Sequence, residues 1–428
     1  MPNTPATWLD AVAVNTATAG TRADPKVTVL TNGNILITWT AIDEDLRTGT
    51  IGLILDPLGN PVGEEFPINH DRGAQSSNAE IVAAPGGGFV AVFERQGGYE
   101  EVYITSFDAA GEPSPSVRLF NDPNQGADPG AFDPAIAIGS PDSGLTIWRQ
   151  VNAEGESVIR AYLFDPSASD PFQNVSSGRF NLITEADIQG EPAVVGLANG
   201  SYAVAVTVGA GEDTRIQLYL VDQDGDVAPA GDSVIDEIGV GDHAPSLTAL
   251  PDGGFVMAWV SGGELLVQRF FSDGRTAGDQ TGVAGVTVSG DTPPTVHAFA
   301  DGTYAVVFLD GASDQIMIQR FDGAGDPVGD LAVVDAAGGD ASSPGVALLP
   351  DGRMVVTFIG ASGDVVMEIL DTRDAPGEAG NTFTGTSGDD VIEYSGDAVF
   401  VGGGAGDDVI TATAGRHAPM TAAMGMIC

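Results

Sequence analysis

Two arginine–glutamine pairs are the first residues whose types and spacing suggest chemistry. Arg95-Gln96 and Arg149-Gln150 each follow an apolar run carrying an aromatic residue, and they read as one slot in two successive repeats. Tyr99 lies just beyond the first pair, and His70 lies in the segment leading into that repeat. Arginine forks grip carboxylates bidentately, and a tyrosine or histidine beside them could move a proton. The group is therefore a candidate grip for an acidic sugar. Carboxylates surround it in the neighbouring loops, among them Asp43, Glu44, Asp45, Glu100, Glu101, Glu154, Glu156, Glu212 and Asp213. In a chain with 60 acidic and 16 basic residues, that rim reads first as a solvated acidic face. His243 and His297 read as structural, and no H-E-x-x-H, nucleophile-elbow or Walker pattern is present.

The elements that must position these residues come from a repeat. "PSLTALPDGGFVMAW" (Pro245–Trp259) has counterparts beginning at Asp24, Ala79, Pro134, Pro192, Pro294 and Pro344. Each is two apolar runs around an Asn-Gly, Asp-Gly or Gly-rich turn, the strongest short hairpin signal. A third strand follows each pair, as in "DQIMIQRFDGAGDPVG", and a weaker fourth precedes the next repeat. Four strands recurring about every fifty residues predict an all-β, seven-bladed β-propeller. The seventh repeat supplies only three strands. Asp10–Asn15 is expected to complete it by pairing with its third strand, leaving no open sheet edge. The propeller is assigned residues 1–374.

Composition narrows the partners. A net charge of −44 excludes nucleic acid and anionic membranes as natural partners and would attract divalent cations. Lys26 is the only lysine, and Cys428 is the only cysteine, so the fold holds no disulfide. The N-terminus has neither a basic n-region nor a long apolar h-region, so export is not expected to use an N-terminal signal. The propeller is expected to be monomeric and to fold without metal.

After a linker, residues 375–413 change character. "GTSGDDVI" (Gly385–Ile392) recurs as "GGAGDDVI" (Gly403–Ile410), with Asp390 and Asp408 18 positions apart. This stretch resembles the RTX family of glycine- and aspartate-rich nonapeptide repeats. The resemblance implies a parallel β-roll in which two nonapeptides make one coil, and calcium held by Gly385, Gly388, Asp389, Asp390, Gly403, Gly404, Gly406, Asp407 and Asp408. Glycines permit the tight turns and aspartates offer hard oxygen ligands. It also implies an extracellular protein exported by the type I secretion machinery. Residues 414–428, "RHAPMTAAMGMIC" at their end, match nothing upstream. Read two nucleotides out of frame, their degenerate codons allow D-G-G-(D/N)-G-(D/N)-D-(L/M), another such repeat. The tail is expected to be out of frame, with unrelated vector sequence as the alternative.

Two functions follow. The first is a secreted, non-catalytic binding or adhesion propeller recognising an extracellular polysaccharide or other surface ligand, with a calcium-dependent tail. The second is a secreted polysaccharide lyase or hydrolase working at the propeller rim. Fold alone does not choose between them.

Overall fold

The computed structural model describes residues 6–16, 20–43, 48–69, 75–96, 100–119, 130–151, 155–168, 171–172, 178–184, 187–235, 241–288, 293–313, 315–334, 344–371, 377–379, 382–386, 390–395, 400–402, 408–414 and 420–421. It is a seven-bladed β-propeller. Blade one consists of Thr21–Val29, Ile35–Ile42, Thr48–Leu55 and Phe66–Pro67. Blade two consists of Gln75–Ala83, Phe89–Gln96, Glu100–Phe107 and Val117–Arg118. Blade three runs through Gly130–Ser140, Ser143–Val151, Ser157–Phe164 and Arg179–Ile183. Blade four is built from Ile188–Gly196, Tyr202–Val208, Arg215–Val221 and Val227–Ile235. Asp242–Ala249, Phe255–Ser261, Glu264–Phe270 and Thr281–Gly282 form blade five, and Thr295–Ala298, Tyr304–Asp310, Gln315–Phe321 and Pro327–Val333 form blade six.

The hairpin turns do what their sequence requires. Gly253, Gly302 and Gly352 hold φ of 92°, 85° and 93° at the same place in blades five, six and seven, where a Cβ would be strained. Strand two of every blade is buried on both faces, which is why Tyr202–Val208 is apolar almost throughout instead of alternating. Each seam between blades carries its own apolar cluster. Trp148 packs with Val90 and Val92 between blades three and two, and Trp259 packs with Ala203 and Leu218 between blades five and four. Burying one such side chain stabilises the ring by about 1.5–3 kcal/mol. The first strands of successive blades lie beside one another, blade seven returning to blade one, so they line the central channel.

Blade seven joins the two ends of the chain. Gly345–Leu348, Met354–Ile359 and Val365–Asp371 supply three strands, and Ala6–Ala13 pairs antiparallel with Val365–Asp371 as the fourth. The closing strand begins four residues before the expected Asp10. Its attachment continues past it, as the Val14 amide donates to the Val365 carbonyl at 2.9 Å and Asn15 clasps Asp364 and Val365.

Beyond the ring, Thr382–Thr384 pairs in parallel with Phe400–Gly402, which pairs with Met420–Thr421. Val391–Ser395 pairs in parallel with Val409–Ala414, Val391 standing opposite Val409. Successive short strands alternate between two parallel ladders, and the Thr382–Phe400 and Val391–Val409 partners each lie 18 residues apart.

Candidate functional site at the channel mouth

The loops joining strands two and three, and those leading into each blade, open on one face. There the first strand bulges after its second or third residue pair. The ladder shifts between Ala23 and Lys26, Ser77 and Glu80, Phe132 and Ala135, Gln189 and Ala193, and His243 and Ser246. Asp24, Asn78 and Asp133 occupy the bulge with φ of 49°, 47° and 52°, Gly190 with 62° and Ala244 with 54°. Aspartate and asparagine tolerate this left-handed conformation, and a bulge re-aims the side chains around it. The result is a ring of polar groups at the channel mouth: Asp24 and Lys26 from blade one, Asn78 and Glu80 from blade two, Asp133 from blade three and Glu191 from blade four.

Lys26 and Glu80 form an ion pair between blades one and two, their side chains 31% and 33% exposed, so solvent reaches them. Burial opposes the Lys26 charge, but Glu80, Glu191 and Asp24 outweigh it and hold the ammonium above its ordinary value. Glu191 opens to solvent, yet the surrounding inner strands desolvate its carboxyl and push it up. Lys26 pulls it back, while Glu80, Asp133 and Glu94 push it further in the same upward direction. The Lys26 ammonium on blade one thus acts on a carboxyl three blades away, across the channel.

A second chain of contacts backs the ring. Glu94 accepts from Asn78 Nδ2 at 3.0 Å and from the Asp133 amide at 2.8 Å, and Asp133 accepts from Arg149 Nε at 2.7 Å. Arg149 also lies over the Phe132 ring, 5.3 Å from its centre. This fixes the blade-three bulge.

The arginines expected to form one grip are separated by their register. Arg95 pairs with Ser76 and Glu94 with Ser77 before the blade-two bulge, whereas Arg149 pairs with Phe132, the residue equivalent to Ser77. Arg149 therefore shares its slot with Glu94, and Arg95 shares its slot with Gln150. Alternation along the strand does the rest. Arg95 lies on the face of Phe93, in the seam with blade one, and stacks 4.8 Å above Tyr103. Arg149 lies on the face of Ile147, in the seam with blade four. The two guanidinium groups point away from each other. Gln150 is buried on the blade-two side with Trp148. His70 and Tyr99 fall outside the described residues, as does the Gln96 side chain. Of the acidic rim, Glu101 is engaged by Arg118 at 2.6 Å and by the Tyr103 hydroxyl at 3.1 Å. Burial pushes His297, on the inner strand of blade six, down to about 4, which keeps it neutral.

Of the residues expected to hold calcium, Gly388, Asp389, Gly403, Gly404, Gly406 and Asp407 lie outside the described residues. Asp390 and Asp408 are buried at the turns of the coil. The Asp408 carboxylate accepts the Asp390 amide at 3.0 Å, and that of Asp390 accepts the Thr386 hydroxyl at 2.9 Å and the Thr386 amide. Each carboxylate thus spends one oxygen on holding a turn. Among the described residues no group of three or more potential metal ligands comes together.

No protein-family model matches the sequence, and no curated protein matches it. Solved structures do. A Dyadobacter fermentans protein of unknown function is 13% identical over 87% of this chain and 100% of its own, with a TM-score of 0.55. A puromycin-hydrolysing peptidase of Mycobacterium tuberculosis is 16% identical over 85% of this chain but 56% of its own, with a TM-score of 0.51. An ulvan lyase of polysaccharide lyase family PL25 is 10% identical over 73% of this chain and 81% of its own, with a TM-score of 0.48. At these identities the likeness with the first two is one of fold, and what the chain shares with them is the propeller.

Proposed function

We propose that the protein is a secreted, glycan-directed hydrolase whose working site is the channel mouth, with Glu191 as proton donor and Glu80 as its charged partner. The observation that supports this reading is the unequal setting of two carboxyl groups in one accessible site. Glu80 is ion-paired with Lys26, whereas Glu191 is pushed upward by burial and holds its proton to higher pH than an ordinary glutamate. Glycoside hydrolysis needs such a pair. In the proposed step the Glu191 proton passes to the glycosidic oxygen as its bond to the anomeric carbon breaks. The Glu80 carboxylate stabilises the positive charge developing on the sugar; water then bonds to the anomeric carbon, and the proton it releases returns to the Glu191 carboxylate. The mouth carries Asp24, Glu80, Glu94, Asp133 and Glu191 against Lys26 and Arg149, so it favours a neutral, hydroxyl-rich chain over the acidic sugar expected from the arginines.

Calcium at the coil, an RTX relationship and type I export belong to the same proposal and rest on the tail's repeat spacing. A second reading, a non-catalytic binding propeller, draws on the Glu94–Asp133–Arg149 chain, whose members already satisfy one another. One experiment separates the two. Reducing-end release from a panel of neutral polysaccharides should be measured alongside binding, for wild type, Glu191→Gln and Glu80→Gln. Hydrolysis lost by at least 100-fold in Glu191→Gln with binding retained supports the enzyme. Binding by wild type without any release, unchanged in Glu191→Gln, supports the lectin-like reading instead.

A further inference from the structure

On the face opposite the channel mouth, the seam between blades seven and one is covered by the C-terminal coil. The Trp8 indole, on the closing strand, is buried and donates from Nε1 to the Gly385 carbonyl at 2.8 Å. Arg353 stacks on the same ring, its guanidinium 3.9 Å from the ring centre. Arg353 is fully buried, an expensive place for a charge unless it is paired. It is paired with Asp351 at 2.8 Å, and its Nη2 donates to the Pro57 carbonyl of blade one at 2.8 Å. Asp351 in turn accepts the Thr384 hydroxyl of the coil. Gly402, on the next rung of that ladder, closes the contact: a Cβ there would come within 2.7 Å of Leu58 and 3.4 Å of Trp8. One buried arginine thus ties together blade seven, blade one, the closing strand and, through Asp351 and Trp8, the coil.

The sequence around Arg353 supports a purpose beyond the turn itself. The residue after the turn glycine is Asn34, Gly88, Gly254, Ser201 or Thr303 in the corresponding hairpins, all small or short, and only blade seven carries an arginine there.

We propose that the coil is the latch of the ring: it docks on the Trp8–Arg353 seat and holds the closing strand in blade seven, so that loss of the coil loosens the closure. This inference does not depend on the glycan reading or on calcium. The ring and the tail are on this account one cooperative unit at the seam.

The test is hydrogen exchange on the full chain. Gly402→Val should crowd the coil off its seat, Thr384→Val should remove its bond to Asp351, and Trp8→Phe should keep a ring over Arg353 while losing the bond to Gly385. In Gly402→Val the amides of Ala6–Ala13 should exchange at least tenfold faster, while those of Tyr202–Val208, deep in blade four, remain as in wild type and report that the ring is folded. Thr384→Val and Trp8→Phe should give smaller changes in the same direction. If Ala6–Ala13 keeps wild-type protection in all three variants, the coil is not the latch.

Discussion

Lys26 on blade one and Glu80 on blade two are ion-paired across the mouth of the channel, and the same ammonium lowers the proton affinity of Glu191 on blade four. One cation therefore acts on carboxyl groups of two other blades in a site built by four. Replacing it, as in Lys26→Met, removes the ammonium that offsets Glu80, Asp133 and Glu94 at Glu191, and their repulsion then pushes Glu191 higher still. The alkaline limb of any activity profile, which follows ionisation of the proton donor, should move to higher pH in this variant, and an unmoved limb would separate Lys26 from the site.

Glu191 also gives a stability prediction whose sign is fixed. Its folded-state value is raised above the ordinary 4.5, so the folded chain binds the proton more tightly and loses stability as pH climbs from 4.5 through the folded value. Glu191→Gln should match wild type in urea unfolding below that range and exceed it above. Equal stability throughout would mean that the carboxyl is not desolvated.

The closure has the opposite dependence. Hydrogen bonds from Asn15 and Ser362 hold Asp364 below its ordinary 3.8. That contribution is present above 3.8 and is lost as pH falls through the lower folded value. Asn15→Ala removes bonds to both Asp364 and the Val365 amide and should cost about 1–2 kcal/mol at neutral pH. The difference between variant and wild type should shrink on acidification, which unfolding curves at successive pH values would show.

The ring was legible because each blade repeats its own signal. The turn glycines, the doubly buried second strand and the missing fourth strand of the seventh repeat all leave marks on the chain itself. The site was less so. Arg95 and Arg149 share a dipeptide and an apparent slot, but a one-residue offset in register reverses the face of a strand residue, and only the pairing with Ser76 and Phe132 reveals the offset. The groups that do meet, Lys26, Glu80 and Glu191, sit at the bulge that begins each repeat. Their signal is the recurring "DPK", "NAE" and "EPA" just inside the first strand, together with the fact that Lys26 is the chain's only lysine. Their convergence is a matter of the ring's curvature, bringing together residues between 54 and 165 positions apart. Arg353 had a mark too, a long cation where other blades place a short residue, yet its partner Trp8 lies 345 positions earlier and nothing local connects them.

A net charge of −44 should make stability depend on salt. Carboxylates that repel one another across the surface are screened within about 8–10 Å at ordinary ionic strength. The melting temperature should therefore rise as sodium chloride is added from low salt to about 1 M, a trend readable by calorimetry. A flat or falling response would show that the surface charge is locally compensated.

If calcium orders the coil, its effect should not stop at residue 374. Under the latch, calcium should raise exchange protection in Val391–Ser395 and, through Trp8, in Ala6–Ala13, while Tyr202–Val208 stays unchanged. Protection confined to the coil would leave the two parts uncoupled, and no change anywhere would remove calcium from the account.

The most direct measurement of the channel-mouth site is a carbon-13 titration of Glu191 in wild type and Lys26→Met, with Glu191→Gln supplying the assignment. The account predicts a midpoint above 4.5 in wild type and a higher one in Lys26→Met. A midpoint at or below 4.5, or one that does not respond to the loss of Lys26, would contradict it.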